Sequence, residues 1–213
     1  MSDGIQTLIV LYGAGGHAKV VMESIRSNQQ NCRLIITDDN REKIADRYLG
    51  IEVIAPEELP SETGGKGLYV VTIGDNSSRN RVVSRLSNAG VSFAHVVHVR
   101  ANVSTSAEIG AGTVVMPGAT INSETMIGEH TIINTNASID HDCQVSDFVH
   151  IGPGATLCGG VMVGEGSLVG AGATIIPNCR IGINVTIGAG TTIRSDIEDN
   201  MTVYTSGEVI IKK

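Results

Sequence analysis

The 213-residue chain contains no tryptophan and only six aromatic residues, two phenylalanines and four tyrosines. So few aromatic side chains offer little surface on which nucleic-acid bases could stack, and a net charge of −7 opposes binding to a phosphate backbone. We therefore expect no nucleic-acid partner. An anionic ligand must be held locally, by backbone N–H groups and a few cations.

Cysteine is also scarce, and the apolar runs are short. The four cysteines form no C-x-x-C pair, which argues against a disulfide framework or a zinc site and favours free thiols in a reducing compartment. No apolar run is long enough to span a membrane, and the N-terminus lacks a basic-then-apolar signal pattern. We therefore expect a cytoplasmic protein without a metal ion or a membrane partner.

The second half of the chain is a six-residue repeat. From Val97 to Ile193 every sixth residue is aliphatic, seventeen times without a slip, and the fourth residue after each is small or β-branched. A period of six fits neither an α-helix nor an amphipathic strand, but it is typical of hexapeptide coils stacked in a parallel β-helix. Three hexads would form one triangular coil, so the repeat predicts between five and six coils.

The register of the repeat also assigns individual side chains. Cys143 and Cys179 take the small inward position two coils apart, roughly 9.6 Å at a strand spacing of about 4.8 Å, which exceeds disulfide reach. His141 and His150 take neither inward position. The repeat therefore predicts buried thiols, and it leaves both histidines outside the core as candidates for a site.

The character of the chain changes near residue 96. The N-terminal part alternates short apolar runs with two helix-like segments, at about residues 16–28 and 76–88. This alternation predicts a small Rossmann-like parallel sheet of the α/β class. We divide the chain into an α/β domain, residues 1–96, and an all-β solenoid with a short C-terminal tail, residues 97–213.

The α/β part carries a glycine-rich loop after its first predicted strand. Residues 13–18, Gly-Ala-Gly-Gly-His-Ala, match the G-x-G-x-x-[GA] pattern of nucleotide-binding loops. Asp38 and Asp39 end the second predicted strand, where they would accept hydrogen bonds from ribose hydroxyls or a base edge. The plainer alternative is a tight turn with solvated acids. About ninety residues are few for a dinucleotide-binding domain, so a mononucleotide sugar fits better than NAD.

Two further segments bear on the site. Residues 73–76, Ile-Gly-Asp-Asn, end a later strand and form either a second ligand-lining segment or a helix N-cap. His141 lies at a predicted corner between Asp140 and Asp142, and a neighbouring carboxylate raises the basicity of a histidine, as a general base requires. The alternatives are an exposed histidine without a role, or a zinc site with His130 and His150, although their spacing matches no known ligand pattern.

Together these motifs resemble the bacterial sugar O-acyltransferases of the sialic-acid O-acetyltransferase type. The likeness is greatest to the bacillosamine-pathway enzymes that N-acetylate a UDP-4-amino-4,6-dideoxy sugar, and it covers essentially the whole chain. It implies a left-handed β-helix, a homotrimer, and acetyl-CoA as cosubstrate in the groove between adjacent solenoids. Close relatives commonly have Glu after the catalytic base, where this chain has Asp142.

The resemblance also implies roles for residues that match the family's motifs. The catalytic residues would be His141, as the base, and Asp142. The nucleotide sugar would be held by six residues: Gly15, Gly16, His17, Asp38, Asp39 and Gly74. Acetyl-CoA would be contacted by three residues: His150, Ala171 and Ala189.

The expected reaction is direct transfer of acetyl from acetyl-CoA to the 4-amino group of a UDP-linked 4-amino-4,6-dideoxy sugar. One alternative is O-acetylation of a sialic acid or another surface sugar, because the sequence does not reveal the acceptor. More distant alternatives are a zinc enzyme of the γ-carbonic-anhydrase type and a noncatalytic hexapeptide scaffold. A nucleotide-binding loop would be superfluous in a carbonic anhydrase.

Overall fold

The computed structural model describes residues 6–28, 31–204 and 209–210. The N-terminal part is a six-stranded sheet with strand order β3-β4-β2-β1-β5-β6, parallel except for the β3–β4 pair. Its strands are β1 Thr7–Tyr12, β2 Cys32–Thr37, β3 Arg47–Tyr48, β4 Ile51–Ile54, β5 Leu68–Val71 and β6 Ser92–Phe93. Its helices are α1 Gly16–Ser27, α2 Leu59–Thr63 and α3 Asn76–Asn88, with short 3-10 helices at Arg41–Lys43 and Pro56–Glu58.

Helices cover both faces of this sheet because its central strand is apolar on both sides. Val10 and Leu11 point to opposite faces of β1, and neither has exposed surface. Leu11 packs in a cluster with Met22 of α1, and Val10 packs in a second cluster with Val83 of α3. The predicted α/β class is confirmed, and both predicted helices form; strands β3 and β4 and helix α2 were not predicted.

The solenoid has one two-residue strand for every predicted hexad, and each predicted aliphatic residue is the second residue of its strand. These strands are β7 Val96–Val97, β8 Asn102–Val103, β9 Glu108–Ile109, β10 Val114–Val115, β11 Thr120–Ile121, β12 Met126–Ile127, β13 Ile132–Ile133, β14 Ser138–Ile139, β15 Gln144–Val145, β16 His150–Ile151, β17 Thr156–Leu157, β18 Met162–Val163, β19 Leu168–Val169, β20 Thr174–Ile175, β21 Arg180–Ile181, β22 Thr186–Ile187 and β23 Thr192–Ile193. Two more strands follow, β24 Thr202–Val203 and β25 Val209–Ile210.

The strands form three sheets, one on each face of a triangular prism, and their pairs are parallel except that β25 pairs antiparallel with β24. The first face runs from β7 through β10, β13, β16, β19 and β22 to β24, the second from β8 to β23, and the third from β9 to β21. Paired residues such as Ile133 and Ile151 are one coil of eighteen residues apart. The C-terminal end breaks this spacing, since Ile197 pairs with Ile181 and Val203 with Ile187, sixteen residues away. The last coil is therefore two residues shorter.

The interior of the prism follows the predicted columns. The aliphatic residues from Val115 to Ile193 are buried, and the small residues between them fill the remaining space. Cys143 and Cys179 are buried free thiols, as the register predicts. Several buried hydroxyls in the small column are satisfied, as when Thr131 Oγ1 donates to the carbonyl of Ser146 at 2.9 Å, whereas Thr191 Oγ1 has no partner among the described residues.

The α/β part packs against the first face of the solenoid. The cluster that contains Leu11 and Met22 also includes Val114, Met116 and Ile132 from that face. A continuous apolar contact of this kind fixes the sheet on the solenoid. The predicted domain boundary between residues 96 and 97 falls within strand β7, which already belongs to the first face. That boundary therefore stays a prediction. In the part of the chain that the structure describes, no helix has the length and apolar character to cross a membrane.

Candidate active site

The glycine-rich loop joins β1 to α1. Gly13 has a φ of +113°, and a side chain there would meet Ile73 Cγ1 at 2.9 Å, so the fold itself requires this glycine. Gly15 is the N-cap residue of α1, and Gly16 is its first residue. A Cβ at Gly15 or Gly16 would have no atom within 4 Å. The backbone there is open, and it presents the start of a helix to any anion that approaches.

The two predicted acids differ in their surroundings. Asp38 is buried and accepts hydrogen bonds from the Ala14 backbone N at 2.6 Å, the Asn40 backbone N at 2.8 Å and Lys43 Nζ at 2.9 Å. Burial alone would raise the pKa of Asp38, but these hydrogen bonds hold it below its usual range. Asp38 therefore secures the glycine-rich loop, and both of its carboxylate oxygens are engaged within the protein.

Asp39 faces a separate cleft of about 460 Å³ at the carboxyl end of the sheet. Tyr12 donates its hydroxyl to Asp39 Oδ1 at 2.6 Å, and Arg85 Nη2 donates to Asp39 Oδ2 at 2.8 Å. Burial and the neighbouring Asp39 raise the pKa of Tyr12, so its hydroxyl stays protonated. Half of the Arg85 and Asp39 side-chain surface remains exposed, so the cluster can rearrange around a polar ligand.

Gly74 and His150 meet where the sheet faces the solenoid. They line a cleft of about 540 Å³ between α3 and the first face. His150 Nδ1 lies 3.3 Å from the Gly74 carbonyl, and His150 Nε2 lies 3.0 Å from Asn134 Nδ2. A carbonyl can only accept, so Nδ1 carries the proton and Nε2 accepts from the amide. Burial and the charge of Arg79 lower the pKa of His150 to about 4, which keeps the ring neutral.

His17 extends from the glycine-rich loop toward the same region. Burial, then the proximity of His150 and Arg79, lowers the pKa of His17 to about 4. Its Nε2 is buried and has no hydrogen-bond partner among the described residues. Gly74 resembles Gly15 in that a Cβ would meet nothing within 4 Å. The structure thus brings Gly74 and His150 together at one cleft and places His17 close to His150, behind the residues that line the cleft.

Ala171 and Ala189 lie at the opposite edge of the first face. Both are exposed corner residues, one coil apart, and each is separated from the end of its strand, β19 or β22, by one glycine. The corners stack closely, because a Cβ added to Gly170 would approach the Ala189 backbone N to 2.6 Å. Small exposed side chains in such a column leave an unobstructed track along the edge of the solenoid.

His141 lies on a different edge, at the corner between β14 of the second face and β15 of the third. Its Nδ1 is 2.6 Å from Asp142 Oδ2, and 58% of the His141 side chain is exposed. Asp142 adopts a left-handed conformation with φ of 59°, which turns its carboxylate back toward the preceding residue. The Asp142 hydrogen bond, with the nearby charge of Asp140, raises the pKa of His141 above its ordinary value.

Several neighbours fix the His141 corner. Asp140 Oδ1 accepts hydrogen bonds from the His141 backbone N at 2.8 Å and from Asn122 Nδ2 at 3.0 Å. A Cβ added to Gly159 would lie 2.7 Å from His141 Cε1, so the ring rests directly against that backbone. These contacts hold the imidazole in one place and leave its Nε2 to a substrate. His141 and His150 line separate clefts of this chain.

No group of three or more His, Cys, Asp or Glu side chains that could hold a metal ion occurs within residues 6–28, 31–204 and 209–210.

Comparison with known proteins covers both halves of the chain. The PglD N-terminal domain matches residues 8–86, and the bacterial transferase hexapeptide (six repeats) matches residues 142–176 and 160–195. The crystal structure of PerB from Caulobacter crescentus, in complex with CoA and GDP-perosamine, is 35% identical, covers 100% of both chains and has a TM-score of 0.87. The chain belongs to the hexapeptide transferase family.

Two other relatives of this hexapeptide transferase have informative names. The acetyltransferase domain of PglB from Neisseria gonorrhoeae FA1090, in complex with acetyl coenzyme A, is 33% identical, covers 97% of this chain and 100% of its own, and has a TM-score of 0.89. The UDP-N-acetylbacillosamine N-acetyltransferase of Bacillus subtilis (strain 168) is 38% identical over 113 residues, 51% of this chain. That match spans 50% of the curated relative's own length.

The family assignment confirms the expected likeness to the bacillosamine-pathway enzymes and fixes the hand of the solenoid, which is a left-handed parallel β-helix. One residue of this hexapeptide transferase was missed in the sequence. Arg79 is only 1% exposed and lies on the face of α3 that also carries Val83 and Leu86. Arg79 precedes those apolar residues by four and seven positions, a spacing that puts all three side chains on one face of a helix. This spacing is the signal that could have predicted a buried Arg79.

Proposed function

We propose that this protein transfers the acetyl group of acetyl-CoA to the 4-amino group of a UDP-linked 4-amino-4,6-dideoxy sugar. The observation that carries the proposal is the His141–Asp142 pair, an oriented and exposed base on a hexapeptide transferase solenoid that also bears a nucleotide-binding loop. The names of the relatives support the same chemistry, since one is a UDP-N-acetylbacillosamine N-acetyltransferase and another was crystallised with CoA and GDP-perosamine.

In the proposed mechanism, His141 is the general base. With Nδ1–H donated to Asp142, the Nε2 lone pair faces outward and can accept a proton from the sugar amine. The amine nitrogen attacks the thioester carbonyl carbon, the carbon–sulfur bond of the tetrahedral adduct then breaks, and the proton passes from His141 to the departing CoA sulfur. Backbone N–H groups would stabilise the oxyanion, and no acyl-enzyme forms.

The nucleotide sugar would be held by the α/β part. The open backbone at Gly15 and Gly16 suits a diphosphate at the start of α1, and Gly74 leaves similar room across the cleft. His17 has a buried ring nitrogen without a hydrogen-bond partner among the residues that the structure describes, which suits a hydrogen bond to the ligand. Asp39 is the acid that a ribose or a base would reach, since half of its side-chain surface is exposed whereas Asp38 is buried.

We further propose that the working unit is a homotrimer whose sites form between chains. His141 lies between the second and third faces of the prism, and His150 lies on the first, so one chain does not bring the base to the cleft with Gly74. A neighbouring solenoid would close the gap, and acetyl-CoA would lie in the groove along Ala171 and Ala189. The four free thiols suit a reducing compartment such as the cytoplasm.

Mass spectrometry of products tests the reaction. The protein is incubated with acetyl-CoA and a panel of UDP- and GDP-linked sugars, each 4-amino sugar paired with its 4-hydroxy counterpart. We expect a mass increase of one acetyl group on the UDP-linked amino sugar alone. Acetylation of the 4-hydroxy sugars would favour the O-acetyltransferase alternative, and acetylation of GDP-linked sugars alone would overturn the nucleotide assignment.

Subunit complementation tests the shared site. His141→Ala and His150→Ala are produced separately and together in one cell, and their acetylation rates are compared at substrate concentrations below the wild-type KM, where a raised KM also lowers the rate. A site built from His141 of one chain and His150 of another predicts that mixed oligomers recover a substantial part of the activity that each variant lacks. Mixed oligomers without recovered activity would place both histidines in the same chain's site.

A further inference from the structure

We propose that Arg79 is a positioning residue whose buried guanidinium locks the Gly74 segment of the nucleotide-sugar site onto the first face of the solenoid, beside His150. The role in catalysis rests on the function proposed above. Arg79 lies in the first turn of α3, in the seam between the two parts of the chain. It is the largest side chain among those with almost no exposed surface.

The hydrogen bonds of Arg79 join both sides of the seam. On the α/β side its Nη1 donates to the Ile73 and Gly74 carbonyls at 3.0 and 3.2 Å. On the solenoid side its Nε donates to the His130 carbonyl at 2.7 Å and its Nη2 to the Phe148 carbonyl at 2.9 Å. A planar guanidinium holds such acceptors in fixed directions, which an ammonium group does not.

Within the described part of the chain no carboxylate contacts the Arg79 guanidinium, and its remaining acceptors are Asn76 Oδ1 at 2.8 Å and the Val149 carbonyl at 3.4 Å. Burial lowers the pKa of Arg79 to about 10, so the group remains charged at neutral pH. A buried cation surrounded by carbonyl oxygens is costly unless each oxygen stays in place. The arrangement therefore favours one relative position of the two parts.

Asn76 reinforces the same lock. Its Nδ2 donates to the Gly166 and Ser167 carbonyls of the solenoid at 2.9 and 3.1 Å, while its Oδ1 accepts from Arg79. The Gly74 carbonyl then has two partners, Arg79 and His150. The position of Gly74 relative to His150 is thus set by two side chains, of which Asn76 lines the cleft and Arg79 does not.

The test compares Arg79→Met, Arg79→Lys and Asn76→Ala with the control Arg33→Met, whose guanidinium pairs with Glu62 on the exposed side of the α/β part. We expect Arg79→Met to raise the KM for the nucleotide sugar by about tenfold or more, and to leave the KM for acetyl-CoA within about twofold. Arg79→Lys keeps the positive charge but lacks the planar guanidinium, so its KM for the nucleotide sugar should lie between those of the wild type and Arg79→Met. An unchanged sugar KM, or equal losses for both substrates, would overturn the proposal.

Hydrogen exchange provides a readout that needs no turnover. In Arg79→Met, amides of residues 72–76 should exchange faster than in the wild type and in Arg33→Met, while amides of residues 140–143 should be unchanged. If Arg79→Met does not fold, Arg79→Lys and Asn76→Ala answer the same question. Unchanged exchange at residues 72–76 in every variant contradicts the lock, whereas a wild type that acetylates no amino sugar contradicts only the proposed function.

Discussion

The two histidines assigned to the site stand on the same solenoid, yet their electrostatic surroundings are opposite. His141 projects from an exposed corner beside two carboxylates, and its pKa is raised. His150 lies under the α/β part near Arg79, and its pKa is lowered to about 4. The repeat places both histidines outside the core of the solenoid. Whether each imidazole is protonated then depends on the groups that surround it, which differ between the two positions. One histidine is thereby suited to take a proton and the other to act as a neutral hydrogen-bonding group.

The largest effect is expected from removing the base. His141→Ala should lower kcat by about 10²–10⁴-fold, because the proton on the attacking amine then has no positioned acceptor. The thermal unfolding midpoint should hardly change, since the side chain is mostly exposed. Steady-state kinetics and a melting curve measure both. The matched variant, His150→Ala, should mainly raise KM and leave kcat less affected. Near-normal turnover in His141→Ala would contradict the assignment of His141 as the base and remove the distinction between the two histidines.

A smaller effect is expected from removing the partner of the base. Asp142→Asn deletes the largest cause of the raised pKa of His141, so that pKa should fall toward its ordinary value. Because the base works only when neutral, activity rises with pH through its pKa, and the acid limb of kcat/KM should move to lower pH. The rate on the plateau should drop by about tenfold as the base weakens. A pH–rate profile measures this, and an unmoved acid limb would exclude Asp142 as the source of the shift.

The neutral histidines predict how stability depends on pH. Burial lowers the pKa values of His17, His130 and His150 to about 4, so the unfolded chain binds more protons than the folded one between that pH and the ordinary histidine pKa. Folding stability should therefore fall as the pH drops below about 6.5, by up to about 1.4 kcal/mol per pH unit for each histidine. Urea unfolding at a series of pH values measures the slope.

His130→Asn is the matched variant for that slope. His130 has a φ of 52°, and asparagine occupies the comparable left-handed corners at Asn136, Asn178 and Asn184. The substitution suits the backbone and removes one titrating group from between Phe93 and Phe148, so the slope should become shallower. An unchanged slope would mean that His130 titrates normally in the folded protein.

The smallest effect is expected at the open end of the glycine-rich loop. Gly15→Ala adds a methyl group where nothing lies within 4 Å, so stability should be nearly unchanged while the KM for the nucleotide sugar rises a few-fold. Gly13→Ala is the contrast, because its left-handed φ and the contact with Ile73 should cost about 1–3 kcal/mol of stability. Denaturant titrations and kinetics separate the two. A wild-type KM in Gly15→Ala would argue against ligand approach at this backbone.

Much of the fold was predictable because the repeat leaves little freedom. A single register assigned every strand from β7 to β23, put Cys143 and Cys179 inside, and left His141 outside. The local chemistry of the His141 corner also followed from its neighbours in sequence. The orientation of Asp142 did not follow from the sequence. It depends on a left-handed backbone at residue 142, and asparagine, aspartate and histidine all adopt that conformation with similar ease.

The cleft around His150 was less predictable, since it depends on docking of two separate parts of the chain. The apolar contacts of Met116 and Ile132, and the burial of Arg79, follow from which solenoid face the sheet covers. The hexad periodicity is the same on all three faces, so the sequence does not reveal which face the α/β sheet covers. The alternative of a helix N-cap at residues 73–76 was correct for Asp75, which accepts from the Ser78 backbone N at 2.8 Å, while Gly74 lines the cleft.

The reach of Arg79 also sets an order of events during synthesis. The glycine-rich loop leaves the ribosome early, but two of the carbonyls that hold the Gly74 segment belong to Phe148 and Val149. A nascent chain shorter than this carries the Gly74 segment without the solenoid contacts that hold Arg79 in place. Asn76 holds the same segment through the Gly166 and Ser167 carbonyls, and Asn184 and Thr186 line the cleft beside Gly74. The chain therefore completes this cleft only after most of the solenoid has been translated and coiled.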